Sequence, residues 1–190
     1  VGLPHLEGNL TDVRVETHGQ FDIIFMAHVL EHFYDPNEAL DQCRRLLTAG
    51  GILAVEVPNI LKPFRSLDQY FLRYVHPTNF SSQTLAALLQ KHGFQSLQVD
   101  EGHNDWRSPQ NLFVVAQSED HGAVKAFELN GEAQKVILAL SSYRQAWQAG
   151  LAAKWYARSL ALGVRRIVFR LGRPIKRFFL GRRTLPNPQA

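Results

Sequence analysis

The segment that decides the fold is Phe21–Asn59, FDIIFMAHVLEHFYDPNEALDQCRRLLTAGGILAVEVPN. It contains two short apolar runs, Phe21–Met26 and Ile52–Val57. Apolar runs without alternation are typical of strands that are buried on both faces, as in a parallel sheet. Between the runs, apolar side chains recur at helical spacing: Ala39, Leu40, Cys43, Leu46 and Leu47. The segment therefore predicts a strand, a helix and a second strand parallel to the first, joined by a right-handed crossover.

Turn-forming residues mark the boundaries of these elements. Asp35-Pro36 predicts the start of the helix, since proline is favoured in the first helical turn. Gly50-Gly51 predicts its end, because glycine readily adopts the left-handed conformation of a C-cap. Pro58-Asn59 closes the second strand.

The chain continues with further elements of an α/β fold. The apolar residues of the segment 60–80 recur at no clear spacing, which indicates an inserted loop or short helix beside a pocket. Ser82 is the expected N-cap of a helix that runs to His92. Phe94–Val99 and Leu112–Ala116 read as two strands whose short connection permits an antiparallel hairpin.

Charge divides the chain into two regions. Residues 1–132 carry nine Lys or Arg and 17 Asp or Glu, whereas residues 133–190 carry 12 Lys or Arg and no acidic residue. We predict an α/β part over residues 1–118 and a helical, basic extension over residues 119–190. In that extension, Val136, Leu140, Tyr143, Trp147, Leu151 and Trp155 form one apolar helical stripe.

Cysteine content and the start of the chain narrow the class of protein. A single cysteine, Cys43, excludes an internal disulfide framework and a multi-cysteine zinc site, which suits the cytoplasm. No run approaches the roughly 20 apolar residues that span a bilayer. The chain opens Val1-Gly2-Leu3-Pro4 and its only methionine is Met26, so we expect a fragment or a processed chain.

The ordered motifs of Phe21–Asn59 resemble the class I methyltransferases that include ubiquinone-biosynthesis and sugar-modifying enzymes. The shared pattern is a strand beginning F-D, an L-E-H turn, a D-P, a helix ending L-L-x-x-G-G, and a strand ending P-N. The resemblance implies a partial Rossmann-like sheet of strand order 4-5-7-6, with strand 7 antiparallel and helices flanking it. It also implies S-adenosylmethionine as the cofactor. The family's glycine-rich cofactor loop has no counterpart in the sequence, so we expect the chain alone to be inactive.

Two positions at the end of the first strand are the cofactor candidates. By resemblance, Ala27 and His28 lie beneath the sulfonium and amino-acid end of the cofactor, with backbone contact at Ala27. The alternative is a plain strand terminus without a ligand.

The motif H-x-x-E-H, formed by His28, Glu31 and His32, permits three interpretations. It is the inverted zinc-peptidase motif, which requires one continuous helix. The ubiquinone-biosynthesis relatives bind a divalent metal with acidic and histidine side chains here, although His28 replaces a glutamate. A structural role, in which Glu31 and His32 orient the following turn, is the third. We predict His32 as a catalytic residue and no metal ligands.

His76 is the second catalytic candidate. The family places acceptor-site residues after the variable loop, and a histidine there can act as a base near neutral pH. A purely structural role in the loop is the alternative. Tyr70, Tyr74 and Asn59 are further candidates for lining the same pocket.

The predicted function is methyl transfer to a small-molecule, sugar or glycolipid acceptor. The rival is a noncatalytic binding or assembly module. Residues 164–183 combine arginines with bulky apolar residues, which favours contact with an anionic membrane surface, at the inner membrane face, over nucleic acid. The alternative is a solvated charged face on a helix that packs against its own domain. We also expect self-association, because the first strand would present a free edge.

Overall fold

The computed structural model describes residues 9–102, 109–119 and 129–165. The chain forms two compact units, Val1–Ala146 and Trp147–Ala190. The first unit carries the sheet and the second is helical in its described part. The domain assignment to residues 1–118 and 119–190 stays a prediction.

A four-stranded sheet organises the first unit. Its strands are β1 (Phe21–Ala27), β2 (Leu47–Pro58), β3 (Phe94–Asp100) and β4 (Asn111–Ser118). Their order is β1-β2-β4-β3, with β1 parallel to β2 and β4 antiparallel to both of its neighbours. This is the predicted order 4-5-7-6 with the antiparallel strand in the predicted place, so the α/β fold class is confirmed.

Short helices connect and flank the strands. They are α1 (Val15–His18), α2 (Pro36–Leu46), α3 (Leu67–Tyr70), α4 (Ser82–Lys91) and α5 (Glu132–Ala146). The described part of this unit also contains two 3-10 turns, Leu10–Asp12 and Leu30–His32. The insertion at residues 60–80 contains the short helix α3, as the sequence suggested.

The first helix of the βαβ unit ends earlier than Gly50-Gly51 predicted. It ends at Leu46, because Leu47 is extended and buried and already pairs with Phe21. Phe21 pairs with Leu47, and the next pair is Ile23 with Ile52. More residues of β2 than of β1 lie between these two pairs, so β2 carries extra residues at this point. Gly50, with φ of 70°, provides the left-handed turn of this irregularity rather than a helix cap.

The N-cap of α4 also differs from the prediction by one residue. Ser81, not Ser82, precedes the first helical turn. The Ser81 hydroxyl accepts a hydrogen bond from the backbone N–H of Thr84, while the Thr84 hydroxyl accepts one from the backbone N–H of Ser81. This reciprocal pair satisfies two donors that a helix start would leave open, which is why the cap lies there.

One face of the sheet carries the main core. Alternate residues of β2 and β4 are fully buried there, and α2 and α4 contribute the opposing side chains; the strand members are Leu53, Val55, Val57, Leu112, Val114 and Ala116. The alternation follows from the two-residue period of strand side chains.

The prediction that Phe21–Met26 is buried on both faces is wrong. Ile24 and Met26 pack towards the core, whereas Ile23 is 66% and Phe25 is 59% exposed. The other face of β1 is therefore largely uncovered by the residues that the structure describes. Leu97 and Val99 of β3 are exposed as well.

A second, smaller core joins the insertion to α5. Ile60, Leu67 and Phe71 are buried and pack against the part of the predicted helical stripe that lies in α5: Val136, Leu140 and Tyr143. The Tyr143 hydroxyl donates to the carbonyl of Arg65 at 2.9 Å. Burial raises the pKa of Tyr143 to about 12, so the phenol stays protonated and remains a donor.

The second unit begins with a π-helical turn, Trp147–Leu151, and stays helical through residue 165. Trp155 contacts Trp147 and Tyr156 with ring centroids 6.2 and 5.1 Å apart. Residues 166–190 lie outside the described residues, and with them most of the basic segment 164–183. No helix in the described ranges has both the length and the apolar character needed to cross a bilayer.

Candidate functional site at the carboxyl ends of β1 and β2

The parallel pairing of β1 and β2 brings their carboxyl ends to one edge of the sheet. β1 ends at Ala27, which is exposed, and the N–H of His28 donates to the Glu56 carbonyl of β2 at 2.8 Å. His28 then adopts φ of 53°, a left-handed conformation that is uncommon for a residue with a side chain. Such local strain is often found at functional sites. In open α/β sheets, ligands bind at this edge.

Hydrogen bonds hold the His28 ring on both sides. Its Nδ1 lies 3.2 Å from Oε1 of Glu31, and its Nε2 lies 3.1 Å from the amide nitrogen of Asn111. That amide nitrogen also donates to Oε1 of Glu56 at 2.6 Å. Because the amide donates, Nε2 accepts, and the ring proton is assigned to Nδ1, which donates to Glu31.

Glu56 and Asn111 were missed by the sequence analysis. Glu56 is the one charged residue in the run Ile52–Val57, which was a usable signal. Asn111 could not be found this way, because its place beside His28 depends on the register of β4, in which Asn111 pairs with Pro58.

Glu31 is the buried centre of the site. Its side chain is 2% exposed, and it lies on a 3-10 turn whose first residue, Leu30, is fully buried in the core. Oε1 accepts from His28, whereas Oε2 has no hydrogen-bond partner in the described part of the chain. A buried carboxylate oxygen without a partner is costly, so this atom is suited to a ligand.

His32 connects the turn to the insertion. Its Nδ1 donates to the carbonyl of Val75 at 2.5 Å, which leaves the lone pair on Nε2. That Nε2 lies 3.9 Å from Oε1 of Glu31. The rings of His32 and His76 meet edge to face with centroids 4.8 Å apart. The structure thus brings together the two predicted catalytic residues, which are 44 positions apart in sequence.

His76 is partly buried and has an open ring nitrogen. Its Nδ1 has no hydrogen-bond partner among the described residues. Burial lowers the pKa of His76, and the neighbouring His32 lowers it further. The ring is therefore neutral at neutral pH and offers a lone pair. Tyr70 packs against it with centroids 5.9 Å apart, and burial raises the pKa of the Tyr70 phenol.

Glu31, His32 and His76 offer a set of ligands that fits a divalent cation. One ligand atom from each lies within 4.8 Å of the others. The open atoms of Glu31 and His76 face no protein partner in the described ranges. His32 donates its other ring nitrogen to a backbone carbonyl, an arrangement that commonly orients metal-binding histidines. Carboxylate and imidazole suit zinc, manganese or iron.

The zinc-peptidase interpretation is wrong. His28 has a left-handed backbone and lies outside the single 3-10 turn Leu30–His32. The continuous helix that the peptidase motif requires is therefore absent from His28–His32.

Of the other residues predicted to line the pocket, Tyr74 is largely exposed and Asn59 is used by the fold. Tyr74 is 83% exposed. Asn59 is buried, and its amide donates to the Glu101 carbonyl while accepting from the Leu61 N–H. These bonds fix the end of β2 and leave Asn59 little capacity for a ligand.

Comparisons with known proteins give the family. A ubiquinone biosynthesis O-methyltransferase of Caulobacter vibrioides is 38% identical over 63 residues, and one of Caulobacter sp. is 36% identical over 63 residues. Each match covers 31% of this chain and 25% of the relative, so the matched stretch spans a quarter of those enzymes. An S-adenosylmethionine-dependent methyltransferase structure from Mesorhizobium loti superposes with a TM-score of 0.42 at 16% identity, covering 52% of this chain and 62% of that one.

The profile of a methyltransferase-domain family matches residues 5–99, which is half of the chain. The match contains β1, α2, β2 and α4, and therefore the strand pair and turn that build the site. The resemblance found in the sequence is confirmed: the chain belongs to the methyltransferase-domain family of class I, S-adenosylmethionine-dependent enzymes.

Proposed function

We propose that this chain forms the acceptor side of an S-adenosylmethionine-dependent methyltransferase. The observation that carries the proposal is the cluster of Glu31, His32 and His76 at the carboxyl ends of two parallel strands, in a chain of this family. Methyl transfer depends mainly on the alignment of an acceptor atom with the methyl carbon, so a rigid polar edge of the sheet is suited to it.

Ala27 and His28 are the residues that would hold the cofactor. Ala27 is small and exposed at the end of β1, and the left-handed backbone of His28 turns the chain away directly after it. The carboxylates of Glu31 and Glu56, on either side of His28, favour positive charge nearby. When bound, S-adenosylmethionine supplies an electrophilic methyl group on a positively charged sulfur, which fits that electrostatic environment.

His76 is the residue best suited to take the acceptor's proton. A hydroxyl acceptor is a weak nucleophile until its proton is removed, and the neutral His76 ring has a buried Nδ1 without a hydrogen-bond partner that would receive it. His32 orients His76 through the ring contact and is itself fixed by Val75. The name O-methyltransferase, carried by the Caulobacter relatives, supports an oxygen acceptor. The acceptor molecule that we propose is a small molecule, a sugar or a glycolipid.

A divalent cation is a second means of activating the same acceptor. The open atoms of Glu31 and His76 support this candidate, together with the orientation of His32. A cation there would lower the pKa of an acceptor hydroxyl and hold its oxygen. Glu31, His32 and His76 would be its protein ligands.

Two further predictions on partners and location remain proposals. Contact of residues 164–183 with an anionic membrane surface is supported by their sequence alone. Location in the cytoplasm is also supported by the sequence alone, namely by the single cysteine, Cys43. A noncatalytic binding module remains the rival and is separated by the experiment below.

Methyl transfer from radiolabelled S-adenosylmethionine tests the proposal. The full natural protein that carries this sequence is assayed with a catechol, a free sugar and a glycolipid as acceptors. We expect transfer to one acceptor class, and a fall in kcat of about 10²–10⁴-fold in His76→Asn, because a positioned base contributes that much. His18→Asn, a change at an exposed histidine of α1, is the control and keeps full activity. No transfer to any of the three, or equal activity in His76→Asn, would contradict the proposed role.

A further inference from the structure

A cavity lies between the insertion and α5. Its volume is about 460 Å³, within the range of about 300–1,000 Å³ that is usual for small-molecule sites. The wall is mainly apolar and is formed by Ile60, Leu72, Leu129, Val136, Ile137 and Leu140. The residues of the candidate active site (Ala27, His28, Glu31, His32 and His76) do not line it.

A buried carboxylate is part of this wall. Glu132, in the first turn of α5, is 3% exposed. Its Oε2 lies 3.4 Å from Nζ of Lys135, whereas Oε1 has no hydrogen-bond partner within the described ranges. The Lys135 side chain is 52% exposed, so solvent weakens its compensation of the buried charge. One carboxylate oxygen is left open, at the cost that burial of an unpaired polar atom carries.

Most of the other polar groups of the wall are already used by the fold. Ser81 and Thr84 bond each other in the cap of α4. The amide nitrogen of Asn79 lies 3.4 Å from the carbonyls of Phe71 and His76. Among these described lining residues, Glu132 is the charged group, and its Oε1 is the buried polar atom without a partner. An apolar cavity with one open carboxylate oxygen is complementary to a ligand with a hydrocarbon body and a positively charged donor.

We propose that this cavity binds an apolar amine. The ammonium group donates to the Glu132 carboxylate in a charge-assisted hydrogen bond, while the hydrocarbon part lies against Ile60, Val136 and Leu140. A carboxylate ligand would be repelled by Glu132, and an alcohol would donate a hydrogen bond without the added attraction between opposite charges. The inference is independent of the proposed methyl transfer, because it uses a different cavity.

Calorimetric titration of the full 190-residue chain with three ligands of equal chain length tests the proposal. The ligands are 1-octylamine, 1-octanol and octanoate. We expect the amine to bind about tenfold or more tightly than the alcohol, because only the amine adds the attraction between opposite charges to its hydrogen bond. Octanoate should bind more weakly than the alcohol. Equal affinity for all three, or no binding of the amine, would overturn the proposal.

Three variants locate the site. Glu132→Gln should remove the preference for the amine over the alcohol, because it removes the charge at nearly constant volume. Glu38→Gln is the matched control, an exposed glutamate in the first turn of α2, and should keep the preference. Ala133→Phe adds a ring to the wall and should abolish binding of amine and alcohol alike. Circular dichroism shows whether each variant is folded. An unchanged preference in folded Glu132→Gln, or binding retained in folded Ala133→Phe, would place the amine elsewhere.

Discussion

Replacing Glu31 with glutamine is expected to lower the affinity of the chain for Zn²⁺ or Mn²⁺ by more than about 100-fold. Glu31 is the anionic member of the cluster with His32 and His76, and its Oε2 is the buried open atom. The change removes the negative charge and nearly preserves the side-chain volume. Loss of residues that merely support metal ligands already costs about 10–100-fold in affinity, so loss of a ligand should cost more.

Competition with a chromophoric chelator measures this affinity without any assay of activity. His32→Asn and His76→Asn should weaken binding as well, since each removes one imidazole ligand. Glu16→Gln, an exposed glutamate of α1, is the matched control and should bind like the wild type. A wild-type chain that binds no cation at millimolar concentration, or a folded Glu31→Gln variant that binds as tightly, would rule out a cation at this cluster.

Lysine at Ile23 and Phe25 is expected to convert self-associated chains into monomers. Within the described residues β1 pairs with β2 alone, so one edge of β1 has unpaired backbone groups. The same strand exposes Ile23 and Phe25 on its uncovered face. An apolar edge strand of this kind is a template for pairing with another chain, and lysines on such a strand oppose that pairing.

Sedimentation velocity over a range of concentrations provides the measurement. The wild-type chain should sediment as dimers or larger species at tens of micromolar, and the Ile23→Lys/Phe25→Lys variant should require at least about tenfold higher concentration to associate. Tyr34→Lys, which changes an aromatic residue that is 86% exposed and outside the sheet, serves as the control and should associate like the wild type. A wild-type chain that is monomeric throughout would contradict the prediction.

The sequence predicted the sheet well, because its strands depend on local patterns. The apolar runs Phe21–Met26 and Ile52–Val57 became β1 and β2, and their parallel pairing followed from the helix between them. Element ends were less predictable. Two consecutive glycines, Gly50-Gly51, favour the end of a helix. However, α2 ends before them, because Leu47 is buried and pairs with Phe21.

The candidate site could be predicted only in part. His28, Glu31 and His32 are close in sequence, and their motif indicated chemistry before any fold was known. The meeting of His32 with His76 depends on how the insertion folds back, through the Val75 carbonyl and the packing of Phe71 and Ile60. Residues 60–80 contain neither a hydrophobic periodicity nor a motif from which this folding back could be predicted. The position of Asn111 depends likewise on the pairing of distant strands.

Binding of S-adenosylhomocysteine tests the placement of the cofactor at the carboxyl end of β1. Calorimetric titration compares the full natural protein that carries this sequence with its Ala27→Trp variant, in which a bulky ring occupies the exposed end of the strand. Gln98→Trp, at an exposed position of the opposite edge strand β3, is the control. We predict binding by the wild type and Gln98→Trp, and affinity at least about tenfold lower in Ala27→Trp, because the ring would obstruct the cofactor at the end of the strand; tenfold corresponds to about 1.4 kcal/mol. No binding by the wild type, or equal binding by a folded Ala27→Trp variant, would contradict it.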